Sequence, residues 1–259
     1  DAYTKSAVKA PFHNLIVNGE VAHLGGTGTT LGFDADGHYR METVKFRLQG
    51  QVGGKSWYAY FMNHPAEMSS AAIMYTQYWV GACPPARGRQ VMVKDGVVAT
   101  VDRCGETLPS SGYTLLFSGG DAYLAGRFQQ GAACAFRLTA EGAAPEFWRS
   151  AREALGCGPR LVAHGQLRVD PAAEGFSHPK ILSLACPRSA VGLTAGGDIL
   201  FVTCPSATIG QLAGVMRALG AFDAMNLDGG ASSALWVADR YLTPPGRDIS
   251  NALLLVKKE

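Results

Sequence analysis

The chain has 259 residues, 47% of them apolar, and a formal net charge of +2. That apolar share supplies a sizeable core and excludes wholesale disorder. Lysine and arginine gather into no stripe and no run of about 18 apolar residues occurs, so neither a nucleic-acid binder nor a membrane-spanning segment is expected.

In chain order, the punctuation is that of hairpins. Asn18-Gly19 separates two apolar arms over 15–21, and the turns at 34–37 and at Asp95-Gly96 repeat the device. His164-Gly165 reads the same way. Between these turns, 57–62, 113–117 and 199–203 are rich in aromatic and β-branched residues and predict strands. Three helices are expected, over 121–129, over 145–155 ending at Gly156, and over 207–219. In the last, Leu212, Val215, Met216 and Leu219 fall at i, i+3, i+4 and i+7, with Ser206 as N-cap and Gly220 as the C-terminal cap. No fixed repeat or linker divides the chain. The expected fold is α+β: a β-rich single domain over 1–259, with a mixed, mainly antiparallel sheet and about three helices.

Cys83, Cys104, Cys134, Cys157, Cys186 and Cys204 form no C-x-x-C pair and have no histidine at zinc spacing, so no metal site is expected of them. Two readings stand: up to three disulfides in an oxidising compartment, or buried free thiols. If bridges form, Cys186 and Cys204 are the preferred pair, because they flank a hairpin-like stretch over 191–203. The condition is a Cα separation within about 7 Å.

The densest chemistry lies in Asn226-Leu-Asp-Gly-Gly-Ala-Ser-Ser233. If 221–227 is extended, Asn226 and Asp228 share one face, and Met225 and Leu227 the other. Gly229 and Gly230 permit positive φ or a close backbone approach, and Ser232 and Ser233 add hydroxyls. An acid, an amide and hydroxyls at a strand end suit a polyol or a phosphate. The same letters also spell an ordinary Asp-Gly-Gly turn.

Together with Cys186-Pro-Arg-Ser-Ala-Val-Gly-Leu-Thr-Ala-Gly-Gly-Asp-Ile-Leu-Phe-Val202 and Arg247-Asp-Ile-Ser-Asn-Ala-Leu253, this segment resembles the phosphodiester glycosidase family. Weaker matches are Asn63-His64-Pro65, Asp95-Gly96 and Gly158-Pro-Arg-Leu-Val-Ala-His-Gly165. The family pattern opens on an Asn-Gly-Gly-Tyr/Phe-Phe strand, and this chain opens at Asp1-Ala2-Tyr3, past that element. The resemblance implies a hydrolase that cleaves the glycosidic bond of sugar-1-phosphodiesters in glycans or envelope polysaccharides. It implies a periplasmic or secreted setting and a sugar-phosphate or polysaccharide substrate, with no cofactor and no nucleic-acid partner. Two other functions stay open: a non-catalytic module that holds an anionic polysaccharide, and a metal-dependent phosphodiesterase. The latter would need acids such as Asp121, Glu67 or Glu174 to converge on Asp228.

In the glycosidase reading the leaving group is a phosphate monoester, already a stable anion, so the usual demand for a second carboxylate relaxes. Asp228 is then the base or nucleophile, and Arg188 the planar fork for phosphate. Arg247 is a second phosphate ligand. Asn226, Gly229, Gly230, Ser232, Ser233, Asn63 and His64 are candidate substrate contacts. Plainer roles exist for several of these. Arg188 could pair with a surface carboxylate, Asn63-His64-Pro65 could be a polar turn, and Asp121 could cap a helix. Tyr75, Tyr78 and Trp79 could stack on sugar or pack the core.

Overall fold

A computed structural model of the chain describes residues 8–81, 87–102, 108–142 and 144–257. Cys83 and Cys104 lie outside these residues. The fold is α+β and strand-rich, with mostly antiparallel sheets, and forms two compact units. One comprises 8–25 with 45–153, the other 26–44 with 154–257.

In the first unit, a five-stranded sheet runs in the order Val97–Val101, Arg89–Lys94, Gly112–Ser118, Ala71–Tyr75, Phe61–Met62, with only the last pair parallel. A second sheet sets Lys45–Val52 between Cys134–Glu141 and Lys55–Ala59. Its strands alternate as a half-buried sheet must: Leu48, Val52, Trp57 and Ala59 are buried, while Gln49, Gln51 and Tyr58 face out. Leu48 and Trp57 pack with Met74, Leu115 and Phe117 in the core. Asn18 and Gly19 make the expected hairpin with φ of 53° and 81°. The short helix near Asp121 is 3-10 in kind and spans Gly119–Arg127. The helix expected over 145–155 stops at Ser150, because Ala151 turns extended and Glu153–Gly156 becomes strand, burying Ala154 and Leu155. Tyr75 and Trp79 are core residues, and Tyr78 donates to Glu20, so none of the three is needed as a sugar platform.

Asn63 belongs to this unit and is 2% exposed. Its Nδ2 donates to the Ala22 carbonyl and the Thr76 hydroxyl, both at 2.8 Å, and its Oδ1 accepts from the Thr76 amide at 2.8 Å. The side chain is spent on fixing the backbone, which corrects the expectation that it contacts substrate. His64 keeps Nδ1 at 2.9 Å from the Pro65 carbonyl and lies against Phe61 and His23. Its burial holds the imidazole below its ordinary pKa.

His23 is buried more completely, with Nδ1 2.6 Å from the His13 carbonyl, and burial pushes its pKa down to about 3. The folded value lies below the unfolded value of 6.5, so between these the unfolded chain binds more protons. Stability should therefore be complete above about pH 6.5 and fall as the pH drops toward 3, by up to about 5 kcal/mol. Thermal melts from pH 7 to 4 should show a steep decline that flattens in His23→Gln. Identical slopes for the two proteins would exonerate His23.

The second unit is built on an antiparallel sheet in the order Gln166–Leu167, Arg160–Ala163, Ala221–Asn226, Cys186–Thr194, Ile199–Ala207. The helix Ile209–Ala218 links Ile199–Ala207 to Ala221–Asn226 and buries Ile209, Leu212, Ala213 and Met216 on the sheet. Val215 and Leu219, expected on that face, are exposed. The helix also starts later than expected. The preceding strand continues to Ala207, so Thr208 replaces Ser206 as the cap and forms a reciprocal box with Gln211. Thr208→Ala should cost about 1 kcal/mol in urea unfolding. An unchanged midpoint would show that the cap contributes nothing. A further short helix, Pro179–Leu182, is capped by His178, whose Nδ1 accepts from the Lys180 amide.

The register of the Cys186–Thr194 and Ile199–Ala207 strands overturns the favoured disulfide. Cys186 sits opposite Ala207 and Cys204 opposite Arg188, with an irregularity between positions 186 and 188. The thiols of Cys134, Cys157, Cys186 and Cys204 are all free.

Candidate active site

Asn226 ends the central strand of the second unit, opposite Ala190. One further bond, from the Leu227 amide to the Ser189 carbonyl at 2.8 Å, carries the pairing to the edge of Asp228. The two glycines that follow answer to different needs. A Cβ on Gly229 would stand 2.5 Å from the Pro187 carbonyl oxygen, so the contact there is too close for any side chain. Gly230 has open space but a φ of +62°, the left-handed region. The chain then closes in a 3-10 turn over Gly230–Ser232.

Asp228 is thus presented at a strand end with its side chain 22% exposed, enough to meet a ligand. Its Oδ1 accepts from the Gly229 amide and its Oδ2 from Arg247 Nη2, each at 2.9 Å. Arg247 Nε also donates to Ser232 Oγ at 2.7 Å, so one guanidinium fixes both the acid and the hydroxyl. A carboxylate oxygen accepts more than one bond, and the Ser232 hydroxyl hydrogen stays available to donate.

Around this group lie polar atoms with no partner among the described residues: Asn226 Oδ1, Ser189 Oγ and Ser233 Oγ, all buried. Buried polar groups are normally satisfied, so these three atoms mark a polar strand end, and Ser189 among them also lines a cavity beside Asp228. Asn226 Nδ2 is engaged, donating to the Gly158 carbonyl at 3.0 Å. Gly158 has φ +103°, and a Cβ there would stand 2.9 Å from the Thr29 amide. Glu174 secures that turn, accepting from the Thr29 hydroxyl at 2.8 Å and the Arg160 amide at 2.7 Å. Cys157 beside it is buried, and this, with a lesser effect of Asp228, pushes its thiol up to about 11 and makes it a poor nucleophile. Behind the strand, Asp223 accepts from Arg160, from the Tyr39 hydroxyl at 2.8 Å and from the His164 amide at 3.2 Å. Burial and that bond push the Tyr39 phenol up to about 12.

Arg188 is 2% exposed. Its Nε donates to the Ala207 carbonyl at 3.0 Å, and its Nη2 donates to those of Lys180 at 2.5 Å and Leu184 at 2.8 Å. Either way of presenting a guanidinium fork uses Nη2, which is already occupied twice. The expected phosphate contact is replaced by an anchoring role, in which Arg188 ties the segment after the Pro179–Leu182 helix to the end of the Ile199–Ala207 strand. Asp228 is no part of the three-donor group Asp34, Asp36 and His38, which occupies an exposed turn. Asp121, one of the acids considered as its partner, is bound by the Tyr58 and Tyr60 hydroxyls in the other unit.

A cavity of about 850 Å³ opens beside Asp228, Ser232 and Ser189. Its outer wall is a hairpin, Leu235–Val237 and Arg240–Thr243, turning on Ala238 and Asp239 at φ 50° and 59°. On it Trp236 and Tyr241 meet edge to face with ring centres 4.7 Å apart. The sequence did not single out this wall, although the Trp-Val-Ala-Asp-Arg-Tyr alternation around a short turn was there to be found.

A β-rich α+β frame carrying an acid–arginine pair at a central strand end defines the class. The chain belongs to the phosphodiester glycosidase family, whose profile matches residues 87–256. A hypothetical protein from Synechocystis shares the fold with a TM-score of 0.80 at 20% identity, over 95% of this chain and 48% of its own. A candidate exported protein from Burkholderia pseudomallei shares it with a TM-score of 0.73 at 20% identity, over 93% of this chain and 60% of its own. The chain therefore spans about half to three fifths of the length of these two proteins. The catalytic domain of zebrafish N-acetylglucosamine-1-phosphodiester α-N-acetylglucosaminidase, auto-inhibited by its pro-peptide, aligns at 11% identity over 95% of this chain and 80% of its own. Its TM-score of 0.32 is too low to bear on the fold. No curated protein matches the chain significantly.

Proposed function

We propose that this protein hydrolyses the glycosidic bond of sugar-1-phosphodiesters, with Asp228 as the working carboxylate. The supporting observation is the solvent-reaching Asp228, clamped by Arg247 and the Gly229 amide, in the lining of a cavity that the unpartnered Ser189 hydroxyl also lines. In the reaction the bond between the anomeric carbon and the bridging oxygen breaks, and the phosphate monoester leaves with the electron pair. Asp228 either takes a proton from the attacking water or adds to the anomeric carbon before water displaces it. Arg247, 35% exposed, supplies positive charge for the phosphate, while Ser232 and Ser189, which line the cavity with Asp228, meet sugar hydroxyls, and the buried Asn226 and Ser233 support the strand end. A periplasmic or secreted location belongs to the same proposal. It is supported by the exported description of the Burkholderia protein, and no helix among the described residues is long and apolar enough to cross a membrane.

The test is a panel of sugar-1-phosphodiesters with products identified. Free reducing sugar together with a phosphomonoester is expected, with and without a chelator. Release of sugar-1-phosphate instead would mean attack at phosphorus, and binding without either product would favour the polysaccharide-holding module. Arg247→Lys should lower kcat/KM on phosphodiesters about 10- to 100-fold, because an ammonium cannot hold acid, hydroxyl and phosphate at once. Neutral glycosides of the same sugar should suffer less. An equal loss on both would reduce Arg247 to a support for Asp228.

A further inference from the structure

We infer that the cavity beside Asp228 takes an apolar alcohol esterified to the phosphate, so that the substrate is an amphiphile: a sugar-1-phosphodiester of a long-chain or prenyl-type alcohol. This rests on the hydrolase reading above. The cavity, about 850 Å³, is in the range that encloses a ligand of many heavy atoms. Asp228, Ser232 and the unpartnered Ser189 hydroxyl line it. Most of the remaining lining is apolar, with Phe201, Leu227, Leu235, Trp236, Leu242 and Leu254, interrupted by Thr203, Asp239, Tyr241 and Asn251. Several of these side chains stay open to solvent, with Trp236 at 55%, Leu242 at 54% and Leu254 at 72% exposure. A contiguous exposed apolar surface of this kind marks a binding site.

The geometry of the reaction selects the occupant. With the anomeric carbon at Asp228 and the phosphate beside it at Arg247, the cavity that Asp228 lines is the space open to the group on the second phosphate ester, and its lining is mostly apolar. A polar alcohol such as a second sugar would lose its water against the leucines and Trp236 that make up most of the lining, and could recover hydrogen bonds only where Thr203, Asp239, Tyr241 or Asn251 interrupts it. Each methylene of an alkyl alcohol would instead gain roughly fourfold in binding. No new chemistry is needed: water adds to the anomeric carbon, the C–O bond breaks, and the alkyl phosphate departs as the monoester.

The experiment compares methyl and octyl phosphodiesters of one sugar, below the concentration at which the octyl ester forms micelles. The octyl ester should show a kcat/KM at least 100-fold higher, and Trp236→Ser should cut that ratio at least tenfold. Leu254→Gln, altered at a largely exposed position, gives a second check on the same ratio. Equal kcat/KM for the two esters overturns the inference while leaving the hydrolase reading intact. If neither ester is cleaved, the hydrolase reading fails, and calorimetry with octyl phosphate and methyl phosphate decides the cavity separately. Octyl phosphate should bind at least 50-fold more tightly, and equal binding, or a dimer that closes the cavity to both, overturns the inference.

Discussion

Asp228→Asn should lower turnover on a sugar-1-phosphodiester by at least about 100-fold, with little loss of stability. The substitution keeps the shape of the side chain, and one amide oxygen can still accept from either the Gly229 amide or Arg247. The other position then presents an NH₂ to a donor, which removes one partly exposed bond and costs on the order of 1 kcal/mol. What disappears entirely is the negative charge that steadies a cationic sugar at the moment of cleavage. Turnover and thermal melts on the same preparation separate the two effects. A fully active Asn variant would remove Asp228 from the chemistry, and an unfolded one would mean that its bonds to Gly229 and Arg247 matter more for the fold than their geometry indicates.

Arg188→Met should have the largest effect on stability, about 3–5 kcal/mol, read from urea unfolding. Methionine fills much of the space, yet the carbonyls of Ala207, Lys180 and Leu184 lose their donor, and the buried Ala207 carbonyl is left without one. Arg188→Lys should fall between, since an ammonium supplies donors but cannot span the same three oxygens. Any activity lost in the Lys variant should fall equally on phosphodiesters and neutral glycosides, because Arg188 does not reach the phosphate. A selective loss on phosphodiesters would restore it to the site.

The contrast between these two residues shows what a sequence carries. The turn that follows Asp228, over Gly229 and Gly230, was legible because the reasons are local. Gly230 needs a left-handed backbone and Gly229 abuts a carbonyl, and both are written as glycine in the chain. The hairpins at Asn18-Gly19, Asp95-Gly96 and His164-Gly165 were legible on the same ground, since positive φ at both turn residues is a two-residue property. Arg188 was not, because its partners are backbone carbonyls, two of them only 8 and 4 positions back and one 19 ahead, and any residue type carries a carbonyl, so no letter of the sequence marks them. Asn63 was misread likewise, since one of its bonds reaches back 41 residues to Ala22. The Tyr39–Asp223–Arg160 network has no local signature at all, with separations of 184 and 63 residues. The helix start slipped from Ser206 to Thr208 because strand pairing outran the local capping preference, and the pairing that begins at Leu193 and Ile199 sets Cys204 opposite Arg188 rather than Cys186.

That last offset leaves the protein with built-in reporters. Cys186 and Cys204 are free and half-buried, and Cys186 immediately precedes Pro187, whose carbonyl roofs the Gly229 turn. A thiol-reactive fluorophore or spin label on Cys186 would sit one residue from the backbone that shapes the acid's surroundings. Ligand arrival at Asp228 could then be followed spectroscopically without engineering a cysteine into the site.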